Sequence, residues 1–281
     1  MFEKKENSEV FYPSALTIGA SDSSGGSGIQ ADLRTFNAYG IYGCSVLTAV
    51  VAQNHYSTDK FMPVPGDVIA SQIDMVLQEI VVKFVKTGFL CGAENLKAVA
   101  DAVKRRKLFL VCDSVVQNMN KDELGALCKN LLPVSKWTVV TVSEAASLLG
   151  KKITNIDLME SAALEIFEKY GCSVVVKAPW DVNSSARTSA VCVKGELFTL
   201  KTPAVDIETS SEIHGAECTF SAALTAGFAM GMDWKNALTD AEAFTTGSMR
   251  EAARIGSDVF AMYPPTGDCR HEIKISSDKK K

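Results

Sequence analysis

The chain has 281 residues, of which 47% are hydrophobic and 22% are charged, and its formal net charge is −4. This hydrophobic fraction supports a sizeable buried core and excludes a chain that is disordered over most of its length. The charge balance is acidic, with a basic run only at residues 279–281, which excludes the clustered Lys and Arg of a nucleic-acid-binding surface.

Features that would direct the chain to a membrane or into secretion are not found in the sequence. Residues 1–7 are charged and lack the apolar core of a secretory signal. No stretch of about 18 residues is apolar enough to cross a bilayer. The eight cysteines are widely spaced and form no C-x-x-C pair, which predicts reduced thiols and no zinc site. We therefore expect a cytoplasmic protein.

Strand-like and helix-like segments alternate along the chain. Residues 15–20 form a short apolar run typical of a buried strand, and residues 28–38 follow with apolar side chains at helical spacing. The alternation continues through a strand at 45–52, a helix opened by Pro65, a strand at 83–90, a helix at 94–105, a strand at 107–113, further elements at 121–132, 137–141, 143–149, 156–170 and 173–177, a hairpin of 189–193 with 196–200, and helices at 218–231 and 234–255. This pattern predicts an α/β fold with a central, mostly parallel sheet and helices on both faces.

One domain accounts for this alternation, because no linker or internal repeat interrupts it. We expect an N-terminal extension at 1–12, the domain at 13–263 and a polar C-terminal tail at 264–281. Ligands of such folds bind beyond the carboxyl ends of the strands. Asp22, Gln53 and Asp113 each fall at such a strand end.

A glycine-rich segment, S-D-S-S-G-G-S-G-I-Q-A-D, joins the first strand to the first helix at residues 21–32. Adjacent glycines permit positive φ angles and let a ligand approach the backbone closely. Gly26, Gly28 and Ala31 match G-x-G-x-x-A, so a dinucleotide site and a purely structural turn both stay open. There is no G-x-x-x-x-G-K, which excludes a P-loop.

A second candidate segment is H-G-A-E-C-T-F-S-A-A-L, which begins at His214. A glycine followed by small residues at a helix start exposes backbone N–H groups, and the helix dipole adds positive potential there. Cys218 at this position predicts a thiol with a lowered pKa that acts as a base or nucleophile. A buried helix start and an anion site are both compatible with these residues.

Together these segments resemble the hydroxymethylpyrimidine (phosphate) kinases of thiamine biosynthesis, which belong to the ribokinase-like superfamily. The run from Ala15 to Asn54 is similar to the family pattern A-G-S-D-x-S-G-G-A-G-I-Q-A-D, followed by Y-G and T-A-x-x-A-Q-N. V-K-T-G-F-L at 85–90 and the His214 segment resemble V-K-I-G-M-L and H-G-T-G-C-T-L-S-A-A. The resemblance extends to about Ala253, and pyridoxal kinases are related to the same family.

The resemblance implies a ribokinase-like three-layer fold that uses ATP and Mg²⁺, and it suggests a homodimer. It also implies a role for individual residues. A ring substrate would be bound by Gln53 and by a lining of Ala20, Asp22, Gly25, Gly26, Val51 and Phe89. Cys218 would be the general base, beside an anion hole formed by Gly215, Ala216 and Glu217. Lys177 and Thr141 would contact the nucleotide, and Asp113 and Glu144 would place Mg²⁺.

The main departures from the family pattern fall on the phosphate side, whereas the run from Ala20 to Asn54 is nearly intact. Glu217 replaces a glycine, T-V-S-E at 141–144 replaces T-P-N-x-x-E, and V-K-A-P at 176–179 replaces V-K-G-G. Trp180 follows, where an aromatic ring would stack on a base or fill the nucleotide site. Three hypotheses follow: a kinase of hydroxymethylpyrimidine, its phosphate or a pyridoxal-like ring; a kinase-fold protein that binds such a ring without phosphorylating it; and another small-molecule enzyme.

Overall fold

The computed structural model describes residues 12–113, 116, 119–179, 186–205, 214–256 and 259–277. Its strands are β1 (Ser14–Asp22), β2 (Tyr42–Gln53), β3 (Thr58–Pro63), β4 (Phe84–Thr87), β5 (Phe109–Asp113), β6 (Trp137–Thr141), β7 (Ser173–Lys177), β8 (Ala186–Val193), β9 (Glu196–Pro203), β10 (Ala253–Arg254), β11 (Phe260–Ala261) and β12 (Lys274–Ser277). Its helices are α1 (Gly28–Ala38), α2 (Gly66–Glu79), α3 (Ala93–Arg106), α4 (Lys121–Ala126), α5 (Val142–Leu149), α6 (Ile156–Tyr170), α7 (Ala216–Ala229) and α8 (Trp234–Arg250).

A single large sheet runs through the molecule in the order β12-β9-β8-β7-β6-β5-β4-β1-β2-β3. Its centre, from β2 to β7, is parallel. The strands β3 at one edge and β8, β9 and β12 at the other pair antiparallel. The predicted α/β fold with a mostly parallel sheet is confirmed.

Helices cover both faces of this sheet and make three layers. Along β7, Val174 and Val176 are buried in one core and Val175 in the other, as the two-residue period of a strand requires. The first core lies under α2, α3, α5 and α6, and the second lies under α7 and α8. Burial on both faces explains why the central strands are apolar without alternation. In the described part of the chain, no helix is long and apolar enough to cross a membrane, and all eight cysteines are free.

The strand β3 was not predicted from the sequence. Every one of its residues is exposed, including Phe61 and Met62, so its side chains follow no two-residue burial pattern. Its only partner strand in the described sheet is β2. A strand stabilised by backbone pairing alone leaves no periodic signal in the sequence.

The polar tail predicted from residue 264 is wrong for the described part of that segment. Residues 274–277 form β12, which pairs antiparallel with β9, and Cys269 and Ile273 are buried in the core with α8. The segment is too short and too rich in charge for its few apolar residues to indicate a strand. The helix α8 also ends at Arg250, five residues before its predicted end, and is followed by β10.

Replacing Ile273 with alanine tests whether this segment belongs to the core. Ile273 is 7% exposed, so Ile273→Ala should lower the free energy of unfolding by about 2 kcal/mol or more through lost burial and a cavity. Lys274→Ala, at the exposed neighbouring residue that begins β12, should change it by less than about 0.5 kcal/mol. Denaturant unfolding measures both, and equal effects would contradict the packing described.

Candidate active site

A cavity of about 540 Å³ opens at the carboxyl ends of β1, β2 and β4, beside the start of α7. The residues predicted to bind substrate that line it are Ala20, Asp22, Val51, Gln53 and Phe89, and the predicted base Cys218 lines it as well. The unpredicted strand β3 adds Thr58 and Phe61 to the wall. A largely apolar cavity of this size, with a few polar groups, suits a small ring.

Asp22 organises the glycine-rich loop rather than offering a free carboxylate. One carboxylate oxygen accepts hydrogen bonds from the backbone and hydroxyl of Ser24, and the other accepts them from Ser27, all at 2.8 Å. Burial opposes ionisation of Asp22, but these hydrogen bonds outweigh it and lower its pKa. The charged side chain therefore holds the loop in one conformation at the cavity wall.

Two glycines allow backbone contacts that no other residue would permit. Gly28 has φ +61°, and a Cβ on it would lie 2.5 Å from the carbonyl oxygen of Ala20. Gly215 has φ +90°, and its Cβ would lie 2.0 Å from the carbonyl oxygen of Gly26. The second contact joins the glycine-rich loop to the start of α7.

Gly25 and Gly26, predicted to bind substrate, lie outside the cavity lining. The Gly25 carbonyl accepts a hydrogen bond from Arg34 at 2.9 Å. Gly26 lies against His55 and His214. The ring Nε2 of His214 is hydrogen-bonded to the backbone carbonyl oxygen of His55. These two glycines therefore contribute to the contact with α7, whereas other residues form the wall of the cavity.

The start of α7 has the geometry expected of an anion site. Gly215 is the N-cap residue of the helix, in the left-handed conformation, so no side chain of the N-cap residue occupies the first free amides. The first intrahelical bond runs from the Thr219 amide to the Gly215 carbonyl, at 2.8 Å. The amides of residues 216–218 precede that bond, so an α-helix leaves them available for a phosphoryl group next to the cavity.

Cys218 lies in the first turn of α7, but its thiol is not activated there. Burial, together with the nearby carboxylates of Asp32 and Asp113, raises its pKa to about 12 against the opposing effect of Lys86. The lowered pKa predicted from the helix start is therefore wrong for the chain without bound substrates. Two neighbouring carboxylates and removal from water outweigh the helix dipole.

A buried ion pair beneath Cys218 was missed by sequence reasoning. Lys86 Nζ lies 2.7 Å from Asp32 and 3.6 Å from Asp113, and Thr17 and Ser221 donate to the two carboxylates. Burial disfavours the charge on Lys86, but Asp32, Cys218 and Asp113 together outweigh burial and raise the pKa of the ammonium. A lysine inside an apolar strand was the available signal, because fully buried lysines occur only with a partner.

Lys177, predicted to contact the nucleotide, is completely buried beside the start of α7. Its Nζ lies 3.4 Å from Glu217, 3.7 Å from Glu242 and 3.7 Å from the centre of the Phe220 ring. Arg187 forms an ion pair with Glu242. Burial lowers the pKa of Lys177, while the two carboxylates oppose this change.

Thr141 and Glu144 form a capping box at the start of α5. The Glu144 carboxylate accepts from the Thr141 amide and hydroxyl at 2.8 Å, and its other oxygen accepts from the Val116 amide at 3.3 Å. Burial raises the pKa of Glu144 to about 7. Among the residues that the structure describes, no group of three His, Cys, Asp or Glu side chains is arranged to hold a metal. Trp180 lies outside the described residues.

Comparison with known proteins agrees with this geometry. The phosphomethylpyrimidine kinase family model matches residues 22–262. The chain belongs to this family. Among family members, a hydroxymethylpyrimidine/phosphomethylpyrimidine kinase of Rhizobium meliloti is 34% identical, over 86% of this chain and 92% of the relative.

Kinases of vitamin B6 compounds are similar to the chain as well. A pyridoxine kinase of Bacillus subtilis is 32% identical over 85% of this chain and 90% of its own length. The structure of pyridoxal kinase from Staphylococcus aureus in complex with AMP-PCP and pyridoxal superposes with a TM-score of 0.85 at 29% identity, covering 95% of this chain and all of that one. The family assignment and the ribokinase-like fold are thereby confirmed, and the relatives are small-molecule kinases.

Replacing Gly215 with alanine tests the contact between the loop and α7. The new Cβ would clash with the Gly26 carbonyl, so Gly215→Ala should weaken ring binding about 10-fold or more by moving the helix start. Gly171→Ala is the control, because Gly171 has φ +76° but open space around its Cβ. It should cost about 1 kcal/mol of stability and leave ring binding unchanged. Calorimetric titration with hydroxymethylpyrimidine compares the two, and identical binding would contradict the contact.

Alkylation of Cys218 by iodoacetamide tests its protonation state. Because the thiolate is the reacting form and the pKa of Cys218 is raised to about 12, the rate should rise about tenfold per pH unit from pH 7 to 9. Peptide mass spectrometry resolves this site from the other cysteines, and N-acetylcysteine gives the unperturbed profile. A rate that is already level at about pH 7 would show a thiolate and contradict the raised pKa.

Proposed function

We propose that the chain is an ATP-dependent kinase of hydroxymethylpyrimidine or its phosphate, in thiamine biosynthesis. The observation that carries the proposal is a ring-sized cavity whose wall includes Gln53, Phe89 and Cys218 and which adjoins the unbonded amides that begin α7. The ring substrate and the phosphoryl group would then be bound next to each other, as phosphoryl transfer to the ring substrate requires. The predicted cytoplasmic location and homodimer stay predictions.

The chemical step transfers a phosphoryl group to the hydroxymethyl oxygen. This oxygen forms a bond to the terminal phosphorus, the bond from that phosphorus to the leaving diphosphate oxygen breaks, and the hydroxyl proton passes to the Cys218 sulfur. Cys218 accepts this proton only as a thiolate, so its own thiol proton must first pass to water in the cavity, and the raised pKa makes that loss costly. The amides of residues 215–218 hold the transferring group.

The phosphate side fits Mg²⁺ through Asp113. Magnesium commonly binds one or two carboxylates together with phosphate oxygens and water, and it would neutralise charge on the phosphates. Asp113 is a buried carboxylate at the end of β5 that accepts from Ser221 at 2.8 Å. Glu144 is engaged in its capping box, so its role would be to fix α5 and Thr141 beside the nucleotide.

A pyridoxal or pyridoxine kinase is the second candidate. The observation in its favour is the pair of relatives that act on vitamin B6 compounds, at 32% and 29% identity. A pyridoxal ring is similar in size to the pyrimidine and also carries a hydroxymethyl group. The same cavity and the same base would serve both rings.

Incubation of the purified protein with Mg-ATP and each ring tests the proposal by mass spectrometry. We expect a singly phosphorylated product from hydroxymethylpyrimidine, and loss of about 100-fold or more of turnover in Cys218→Ala. Cys128→Ala is the control, because Cys128 does not line the cavity. Faster phosphorylation of pyridoxal would favour the second candidate. Tight ring binding without any product would instead favour a protein that has kept the fold and lost the chemistry.

A further inference from the structure

Glu217 places a negative charge where the proposed function requires room for phosphate. It occupies the first turn of α7, among the amides that would hold the transferring group. Its carboxylate lies 3.4 Å from Lys177 Nζ, so the acid already pairs with a buried cation beside this helix start. A carboxylate and a donor phosphate at this point would repel each other and compete for the same positive charge.

The two members of this ion pair differ in their freedom to move. The Lys177 side chain has no exposed surface, and Glu242 and the Phe220 ring hold it from the other sides. The Glu217 side chain is 35% exposed. Rotation into solvent is therefore open to Glu217, whereas the buried Lys177 stays in place beside the helix start.

The surroundings of Lys177 also indicate an exchangeable partner. Glu242 is engaged by Arg187, and within the described structure Lys177 Nζ makes no hydrogen bond of good geometry with either carboxylate. A buried ammonium that is paired loosely gains from a better acceptor, and phosphate oxygens are strong acceptors for lysine. The contact between Glu217 and Lys177 is thus one that a donor phosphate could replace.

We propose that Glu217 serves as a resident counter-ion for Lys177 that the phosphoryl donor must displace, and that it thereby weakens donor binding without changing ring binding. The inference rests on the proposed function for the identity of the donor. It predicts a site that takes up its ring substrate normally and binds nucleotide only when the concentration is high enough to release Glu217.

Calorimetric titration with Mg-AMP-PCP tests this directly, with ring binding measured in parallel. Glu217→Gln removes the charge at nearly constant size and should tighten nucleotide binding about 10-fold or more while the Kd for hydroxymethylpyrimidine is unchanged. The matched control is Glu94→Gln, which removes an exposed acid from the first turn of α3. This control should change neither constant.

Repeating the Glu217→Gln substitution in a Lys177→Met variant shows whether the change in nucleotide binding depends on Lys177. In Lys177→Met the gain from Glu217→Gln should largely disappear, because the cation for which the two anions compete is gone. An equal gain in that background, or unchanged or weaker nucleotide binding in Glu217→Gln, would overturn the inference. Tighter nucleotide binding without ring phosphorylation would uphold the inference and reject the proposed kinase. Ring phosphorylation, together with unchanged nucleotide binding in Glu217→Gln, would support the proposed kinase and reject the inference.

Discussion

The ammonium group of Lys86 connects more of this molecule than any apolar contact described above. It lies at the middle of the parallel sheet and is paired with Asp32 on α1 and with Asp113 at the end of β5. Hydrogen bonds from Thr17 on β1 and Ser221 on α7 extend the same network. Charges buried this deeply are tolerated only when each has its partner, so these elements have to assemble in one arrangement. The cavity and Cys218 lie directly above that network.

The same network explains the state of the proposed base. A helix start and a nearby ammonium group both favour a thiolate at Cys218, while the two carboxylates and removal from water favour the thiol. The raised pKa means that the second set outweighs the first before substrates bind. Phosphate oxygens at the α7 amides would add further negative charge, whereas Mg²⁺ at Asp113 would remove part of it. Proton transfer is thus coupled to how the charges of the donor are balanced.

Sequence reasoning reached the fold through local patterns, and it reached most of the ring site through the resemblance to a known family. Alternating apolar segments predict a parallel sheet, and residues at strand ends such as Gln53 meet at one edge of it. It did not reach contacts between distant segments. The pairing of Glu217 with Lys177 joins residues far apart in the chain, and spacing carries no information about it. The thiol pKa and the position of Phe61 depend likewise on the assembled tertiary structure.

The strands around the cavity differ in local stability, and β3 is the least supported of them. β1 and β4 lie inside the sheet with neighbours on both sides, whereas β3 is an edge strand whose side chains are all exposed. Its share of the folding free energy therefore comes from the ladder with β2, and local opening there should cost less than opening of β1 or β4. A ring that covers Phe61 would supply the apolar contact that this strand lacks. Ligand binding would then complete the folding of the wall that encloses it.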